Sequence, residues 1–237
     1  MLGIGAPIYW DGTMDLFDRV RHRRLLVSDF DGTITKVDFY ERVLEAFPNA
    51  AGSQGWQKFL AGQVSHLEAL QSIFEVLPND ESYVMTLART TEIDPHFADA
   101  VRQLDEQGWS VLVASAGCQW YIDRLLTELA VNIPIISNPG DLEPAGGLRL
   151  RAPTDSPYFS ADTGIDKGII VREAMTKFER VAFAGNGRAD LAAALMVDPK
   201  VRFATGWLAD KLSAQGQPFH RFDSWSEIGS RLPQVAG

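Results

Sequence analysis

Leu25-Leu26-Val27-Ser28-Asp29-Phe30-Asp31-Gly32-Thr33 is the stretch from which the fold can be read. Leu25 to Val27 is an apolar run short enough to be a strand buried on both faces, and the strand ends in carboxylates. Side chains two apart on an extended chain point the same way, so Asp29 and Asp31 converge at the strand's carboxyl end. Two ionised acids that close repel unless a cation lies between them or one takes a proton. Metal binding answers the first need and general acid chemistry the second. Gly32 reaches backbone angles closed to other residues, so the chain can turn sharply and aim its amides at a ligand. Alone, the pair also fits a solvated strand-to-loop turn, and the rest of the chain has to decide.

After Thr33 the periodicity turns helical. Tyr40, Val43, Leu44 and Phe47 recur near helical spacing until Pro48-Asn49. Ser65 with Glu68 makes a capping box for a helix whose Leu67, Leu70, Phe74 and Leu77 share a face, and Asp80 caps another carrying Tyr83, Val84 and Leu87. Residues 36–92 thus read as a helical cap inserted after the first strand. Strands and helices then alternate. A helix with Pro95 in its first turn runs to Gln107, Trp109 to Ala114 form a strand, and Tyr121 to Leu129 lie on a helix. Ile133 to Ile136, a hairpin arm at Leu148 to Arg151, a helix from Asp166, a strand from Val181 to Ala184 and a helix from Ala189 follow. Val201 to Ala204, Trp207 to Ala214 and Phe219 to Phe222 continue the series. This predicts an α/β fold: a Rossmann-like, mostly parallel sheet with helices on both faces, formed by residues 1–35 and 93–237, binding ligands at the carboxyl ends of its strands. At the start of the chain a turn is expected at Asp11 to Thr13 and a short helix from Met14. Arg19, Arg21, His22, Arg23 and Arg24 read as a solvated basic face.

The 237 residues suffice for a sizeable core, and 46% hydrophobic with 22% charged is the balance of a globular protein. A net charge of -9 argues against nucleic acid or an anionic membrane as partner, so an anionic substrate needs locally gathered positive charge. No apolar stretch is long enough for a membrane span and the opening lacks the order of a secretion signal, which makes the cytoplasm the expected location. Cys118, the single cysteine, cannot form an intrachain disulfide and reads as a small buried side chain. His22, His66, His96 and His220 show no metal-ligand spacing. The sequence carries no signal for oligomeric state.

Three further polar sites fall where this architecture places functional groups. Ser115, Ala116 and Gly117 end the second core strand, where a hydroxyl and free amides can cradle phosphoryl oxygens. Lys167 opens a helix, where its charge opposes the macrodipole unless an anion is near; pairing with Asp162 or Asp166 at the surface is the plain alternative. Gly185-Asn186-Gly187-Arg188-Ala189-Asp190 presents two oxygen-bearing side chains at a tight turn, the donor type that Mg²⁺ requires, although capping would also explain them. Asp38, Tyr40 and Glu41 sit at the start of the cap, where they could face a substrate or simply solvent.

In order and in residues, these sites resemble the haloacid dehalogenase superfamily of phosphohydrolases. Asp29 to Thr33 looks like its first motif, Ser115 its second, Lys167 its third, and Gly185 to Asp190 its fourth. The inserted helices are similar to the cap of the phosphoserine phosphatase-like branch. The opening motif with the tail Phe203 to Ile228 is most like the 2-hydroxy-3-keto-5-methylthiopentenyl-1-phosphate phosphatases of methionine salvage. The resemblance implies a phosphatase for a small phosphorylated metabolite, with Asp29 as nucleophile and Asp31 as acid and base. It implies Gly32, Ser115, Ala116, Gly117 and Lys167 around the phosphate, and Mg²⁺ on Asp29, Asp31, Asn186 and Asp190. The chain departs at Asn186, where members commonly have Asp, and lacks the cysteines that precede the lysine in the salvage group. A phosphoserine-type phosphatase and a catalytically impaired phosphometabolite-binding protein are the alternatives.

Overall fold

The computed structural model describes residues 8–9 and 16–236. The expected turn at Asp11–Thr13 lies outside them. After β1 (Ile8–Tyr9) and a 3-10 turn at Leu16–Arg19, β2 (Arg24–Ser28) carries Leu25, Leu26 and Val27, all completely buried. Four helices follow: α1 (Phe39–Ala46), α2 (Gly55–Leu60), α3 (His66–Phe74) and α4 (Glu81–Arg89). Then come α5 (Phe97–Glu106), β3 (Trp109–Cys118), α6 (Gln119–Glu128) and β4 (Pro134–Asn138). Two antiparallel hairpins are made by β5 (Gly140–Leu142) with β6 (Leu148–Leu150) and by β7 (Phe159–Ser160) with β8 (Gly164–Ile165). The chain closes with α7 (Lys167–Lys177), β9 (Arg180–Gly185), α8 (Leu191–Met196), β10 (Arg202–Ala204), α9 (Gly206–Ala214), β11 (His220–Arg221) and α10 (Ser226–Val235).

The main sheet has seven strands in the order β1-β4-β3-β2-β9-β10-β11, and every pairing in it is parallel. Order reverses around β2, with β3 on one side and β9 on the other. A parallel sheet opens a crevice at such a reversal, beyond the carboxyl ends of its strands. The Asp29 amide extends the ladder by donating to the Ala184 carbonyl at 2.9 Å, which pins the acid beside the end of β9. No helix among the described residues is long and apolar enough to cross a membrane.

α1 to α4 leave the sheet and return at neighbouring points. Thr35 and Ile93 form an isolated antiparallel bridge, and the Lys36 amide donates to the Thr91 and Glu92 carbonyls at 3.1 and 3.0 Å. The capping box at α3 is present in both directions, Glu68 amide to Ser65 Oγ at 3.2 Å and Ser65 amide to Glu68 Oε2 at 2.8 Å. Phe39, Val43, Leu70, Ile73, Phe74, Val84 and Met85 are buried among these helices. The Phe39 ring meets Tyr121 of α6 at 4.5 Å between centroids, so the insertion shares apolar contact with the sheet's own helices. The β5–β6 hairpin buttresses it as well, through Gly147 amide to Leu77 carbonyl and Leu150 amide to Gln71 Oε1.

Several expectations need correction. β3 does not stop before Ser115; it runs to Cys118 through a register shift against β4, because the run from Val111 to Cys118 is almost wholly buried and the ladder continues past the irregularity. Pro95 precedes α5 rather than sitting in it, and Ala189 lies in a 3-10 turn (Arg188–Asp190) that leads into α8. α10 has no counterpart in the sequence reading, since Gly229 and Pro233 look like breakers. Gly229 is there for close approach: a Cβ would stand 2.9 Å from the Ala100 Cβ of α5. The basic face is solvated, as expected, at Arg21 and Arg23, whose side chains are 69% and 80% exposed, and it carries surface pairs. Arg21 and His22 both meet Asp105, Arg23 meets Glu179, and Arg24 donates to the Gln107 and Gly108 carbonyls.

Candidate active site

Asp29 stands just beyond β2, next to Lys167 at the first turn of α7 and Asp190 at the turn before α8. The Lys167 ammonium lies 2.6 Å from Asp29 Oδ1 and 2.6 Å from Asp190 Oδ1, and all three side chains are buried. Surface pairing with Asp162 or Asp166 is therefore not what the lysine does. Asp166 caps α7 instead, accepting from the Gly168 and Ile169 amides at 2.7 and 3.1 Å. An unpaired buried ammonium would cost several kcal/mol, roughly, so the two carboxylates account for a cation at a helix start. Burial works against the charge on Lys167, but Asp190 and Asp29 outweigh it and hold the ammonium above its ordinary pKa. Asp29 is raised too, by burial first and then by the charge of Asp190, because one lysine serves two acids. Asp190 commits its other oxygen, Oδ2, to the Asn186 and Gly187 amides at 3.0 and 2.7 Å.

Asp31 faces the same crevice with different partners. Tyr121 donates its hydroxyl to Oδ2 at 2.6 Å, and the Phe39 amide donates to Oδ1 at 3.3 Å. Burial pushes this carboxyl up to about 6, the Tyr121 hydroxyl and Phe39 amide pulling the other way. A carboxyl poised there can hold a proton and release it near neutral pH. Ser115 Oγ accepts from the Gly117 amide at 2.9 Å, so that amide is engaged rather than free. Gly117 allows the crowding: a Cβ would stand 2.2 Å from Tyr121 Oη and 2.5 Å from Asp31 Oδ2.

Asn186 completes the floor. Its Oδ1 accepts from Thr33 Oγ1 at 3.2 Å, and its Nδ2 donates to Asp38 Oδ2 at 3.3 Å. Gly32, at φ +67°, has no room for a side chain, since a Cβ would lie 2.0 Å from Asn186 Nδ2. Asp38 is pushed up to about 8 by burial and then by the charge of Asp31. Five acids line the cleft among the described residues, Asp29, Asp31, Asp38, Glu41 and Asp190, against Lys167 and the exposed Arg188. Oxygen donors, a shortage of positive charge and three carboxyls held above their usual range suit a hard divalent cation. Among the described residues no three His, Cys, Asp or Glu side chains form a ready-made cage. The fitting donors are the Asp29 carboxylate, the Asp31 backbone carbonyl and the Asn186 amide oxygen, while Asp190 is engaged with Lys167 and two backbone amides.

The opposite wall is aromatic. Tyr40 stacks on Trp56 at 4.1 Å, His66 meets Trp56 edge-on at 5.6 Å, and the Arg188 guanidinium lies over Trp207 at 4.7 Å. With Leu60, Leu70 and Phe74 they bound a cleft of about 420 Å³ above Asp29 and Lys167, a size suited to a small molecule. His66 Nδ1 is buried without a hydrogen-bond partner among the described residues, and burial, then Lys167, lowers the ring to about 4. Asp38, Tyr40 and Glu41, which the sequence allows to face a substrate, do line the cleft, but sequence reasoning does not select Tyr121, Trp56, His66 or Trp207. Tyr121 reads as a core residue of its helix, and nothing local marks its hydroxyl as reaching Asp31.

A family model described as "Putative Phosphatase" matches residues 24–203. The 2-hydroxy-3-keto-5-methylthiopentenyl-1-phosphate phosphatase of Brevibacillus brevis is 26% identical over 219 residues, covering 89% of this chain and 96% of that protein. A polyol phosphate phosphatase of Saccharomyces cerevisiae is 25% identical over 236 residues, covering 90% and 94%. Among solved structures, a phosphoserine phosphatase carrying a phospho-aspartyl intermediate analogue superposes with TM-score 0.62 at 12% identity, covering 88% of this chain and 98% of that one. Phosphoserine phosphatase from T. onnurineus gives TM-score 0.60 at 19% identity, covering 92% and 96%. At these identities the structures establish the fold.

Proposed function

The chain belongs to the phosphatase family whose model spans residues 24–203, with the haloacid dehalogenase fold, and from that premise we propose that it is a Mg²⁺-dependent phosphomonoester hydrolase working through an aspartyl-phosphate. The observation that carries the reading is Lys167 bridging Asp29 and Asp190 at 2.6 Å each, which brings three distant motifs to one spot beside Asp31. Asp29 attacks phosphorus while Asp31, its carboxyl protonated, gives that proton to the departing oxygen. Asp31, now ionised, takes a proton from water, and the hydroxide hydrolyses the aspartyl-phosphate and frees Asp29. Lys167 orients the nucleophile and, with Ser115, holds phosphoryl oxygens as charge spreads over them. Mg²⁺, held by Asp29, the Asp31 backbone carbonyl and Asn186, would supply the positive charge that this acid-rich floor lacks. Asp190 serves by fixing Lys167 and the turn that carries Asn186.

The substrate in this reading is a small phosphorylated metabolite whose leaving group lies against Tyr40, Trp56 and His66, with residues 36–92 acting as a cap that excludes water. The substrates in the relatives' names, the salvage enol phosphate and polyol phosphates, head the panel to be screened, with phosphoserine. Hydrolysis of para-nitrophenyl phosphate with Mg²⁺ tests the chemistry. Asp29→Asn should cut turnover by at least on the order of 10³-fold. Equal turnover in both proteins would refute the assignment.

A further inference from the structure

His66 opens α3 on the aromatic wall of the cleft, and the fold fixes its place while leaving a ring nitrogen unpaired. The backbone is held from the sheet side. Asp162, in the loop of the β7–β8 hairpin, accepts from the His66 amide on Oδ1 at 3.1 Å and from the Leu67 amide on its carbonyl at 2.8 Å. The ring is held by its neighbours, edge to face with Trp56 at 5.6 Å and with Phe59 at 5.2 Å. Yet Nδ1 is buried and has no hydrogen-bond partner among the described residues. Buried polar atoms are ordinarily paired, so a wedged ring with an unpaired nitrogen beside a cleft points to a partner that arrives with the ligand. Around it the wall on α2 and α3 is uncharged, with Trp56, Leu60, Leu70 and Phe74 lining the cleft. The imidazole is itself neutral near pH 7, since burial and then Lys167 lower it to about 4 against the opposing pull of Asp162 and Asp190.

We propose that His66 is a specificity-determining residue, selecting phosphate esters whose leaving group is an uncharged carbon chain with a hydroxyl that hydrogen-bonds the imidazole. The inference rests on the phosphatase reading above and names the substrate class for the same cleft. A neutral imidazole has one donor and one acceptor nitrogen, and a hydroxyl both donates and accepts, so the two pair in either tautomer. A charged group seated against this wall would lose its water to apolar surroundings with no ionic partner. The ring feels the charge of Lys167, so a short chain spans the distance from the phosphoryl site to the wall. An ester without the hydroxyl leaves the ring unpaired and is rejected for that reason.

Paired substrates test this. The value of kcat/KM with Mg²⁺ is measured for erythritol 4-phosphate, a polyol ester, and for n-butyl phosphate, an ester of the same chain length without hydroxyls, in wild type, His66→Phe and His66→Gln. The readout is the ratio of the two values. Intrinsic reactivity of the esters cancels when that ratio is compared between proteins, and a merely structural role would leave it unmoved. Wild type should favour the polyol ester about 10- to 100-fold. His66→Phe keeps a flat ring between Trp56 and Phe59 but has no nitrogen, and should lose most of that preference. His66→Gln restores an uncharged donor and acceptor and should recover part of it. The wild-type ratio should hold from about pH 5.5 to about pH 8, where the ring stays neutral and the catalytic carboxyls titrate alike for both esters. An unchanged ratio in His66→Phe, no recovery in His66→Gln, or a wild-type preference that emerges only in acid would overturn the proposal. Wild type that hydrolyses para-nitrophenyl phosphate but shows no preference between the two esters would defeat it and leave the phosphatase function standing. If wild type hydrolysed none of the three, that function would fail first and this role with it.

Discussion

The sheet wall of the cleft closes its polar contacts within the protein, whereas the helical wall leaves some of its own open. Lys167 joins Asp29 to Asp190, and Asp190 spends its second oxygen on two backbone amides. Across the cleft His66 Nδ1 is buried without a partner among the described residues, and Tyr40 and Trp56 stack beside it. A buried polar atom left unpaired costs roughly 1–3 kcal/mol, which a ligand can return on binding. In the function proposed above, the difference separates two tasks. A phosphoryl group is the same in every substrate, so the groups that meet it can be wired in advance. Leaving groups differ, and the surface that meets them gains from vacancies and broad aromatic faces.

The sharpest way to break this contrast is to cut the wiring. Lys167→Met should lower kcat for para-nitrophenyl phosphate on the order of 10²- to 10³-fold, because oriented charge at the transferring group is lost. Activity within tenfold of wild type would mean that the bridge does not serve the chemistry. A second measurement addresses acid crowding. Asp31 and Asp38, raised to about 6 and about 8, keep their protons when folded at pH values where the unfolded chain has released them. Their contribution to stability is therefore full below about pH 4 and is lost as pH rises through 6 and then 8. Holding Asp31 at about 6 rather than 3.8 corresponds to on the order of 3 kcal/mol. In a chelator the melting temperature should fall from pH 5 to pH 8, and Mg²⁺ should flatten the slope. A metal-free protein that gains stability over this range would contradict the charge balance described for the floor. The smallest effect is expected on the other wall. Trp56→Ala should raise KM for the best metabolite about tenfold with kcat nearly unchanged, and a loss confined to kcat would place the residue with the chemistry instead.

Legibility divides along the same line. Asp29, Asp31, Lys167 and Asp190 could be found because a parallel sheet gathers strand ends and helix starts at one edge, so position in the pattern implies position in space. Asn186 was found the same way. What was missed depends on contacts between elements far apart in the chain. Tyr121 lies in a helix whose neighbours are buried, and only the packing of α6 turns its hydroxyl onto Asp31. Trp225 donates from Nε1 to Ser28 Oγ at 2.9 Å, so the segment before the unforeseen α10 steadies the end of β2. The continuation of β3 through Ser115 was hidden because a register shift leaves no mark in an apolar run. His66 drew notice only as one of four histidines without metal-ligand spacing. Its unpaired ring nitrogen is a property of the assembled cleft.

Cys118, buried at the end of β3 with its thiol pushed up to about 12 by burial, gives the molecule a chemically quiet background. Alkylating probes will ignore it in the folded protein, so one engineered thiol suffices for a clean label. Leu60, which lines the cleft yet is 47% exposed, is a natural place for it. A spin label or fluorophore there would report, turnover by turnover, whether the aromatic wall moves when a leaving group arrives.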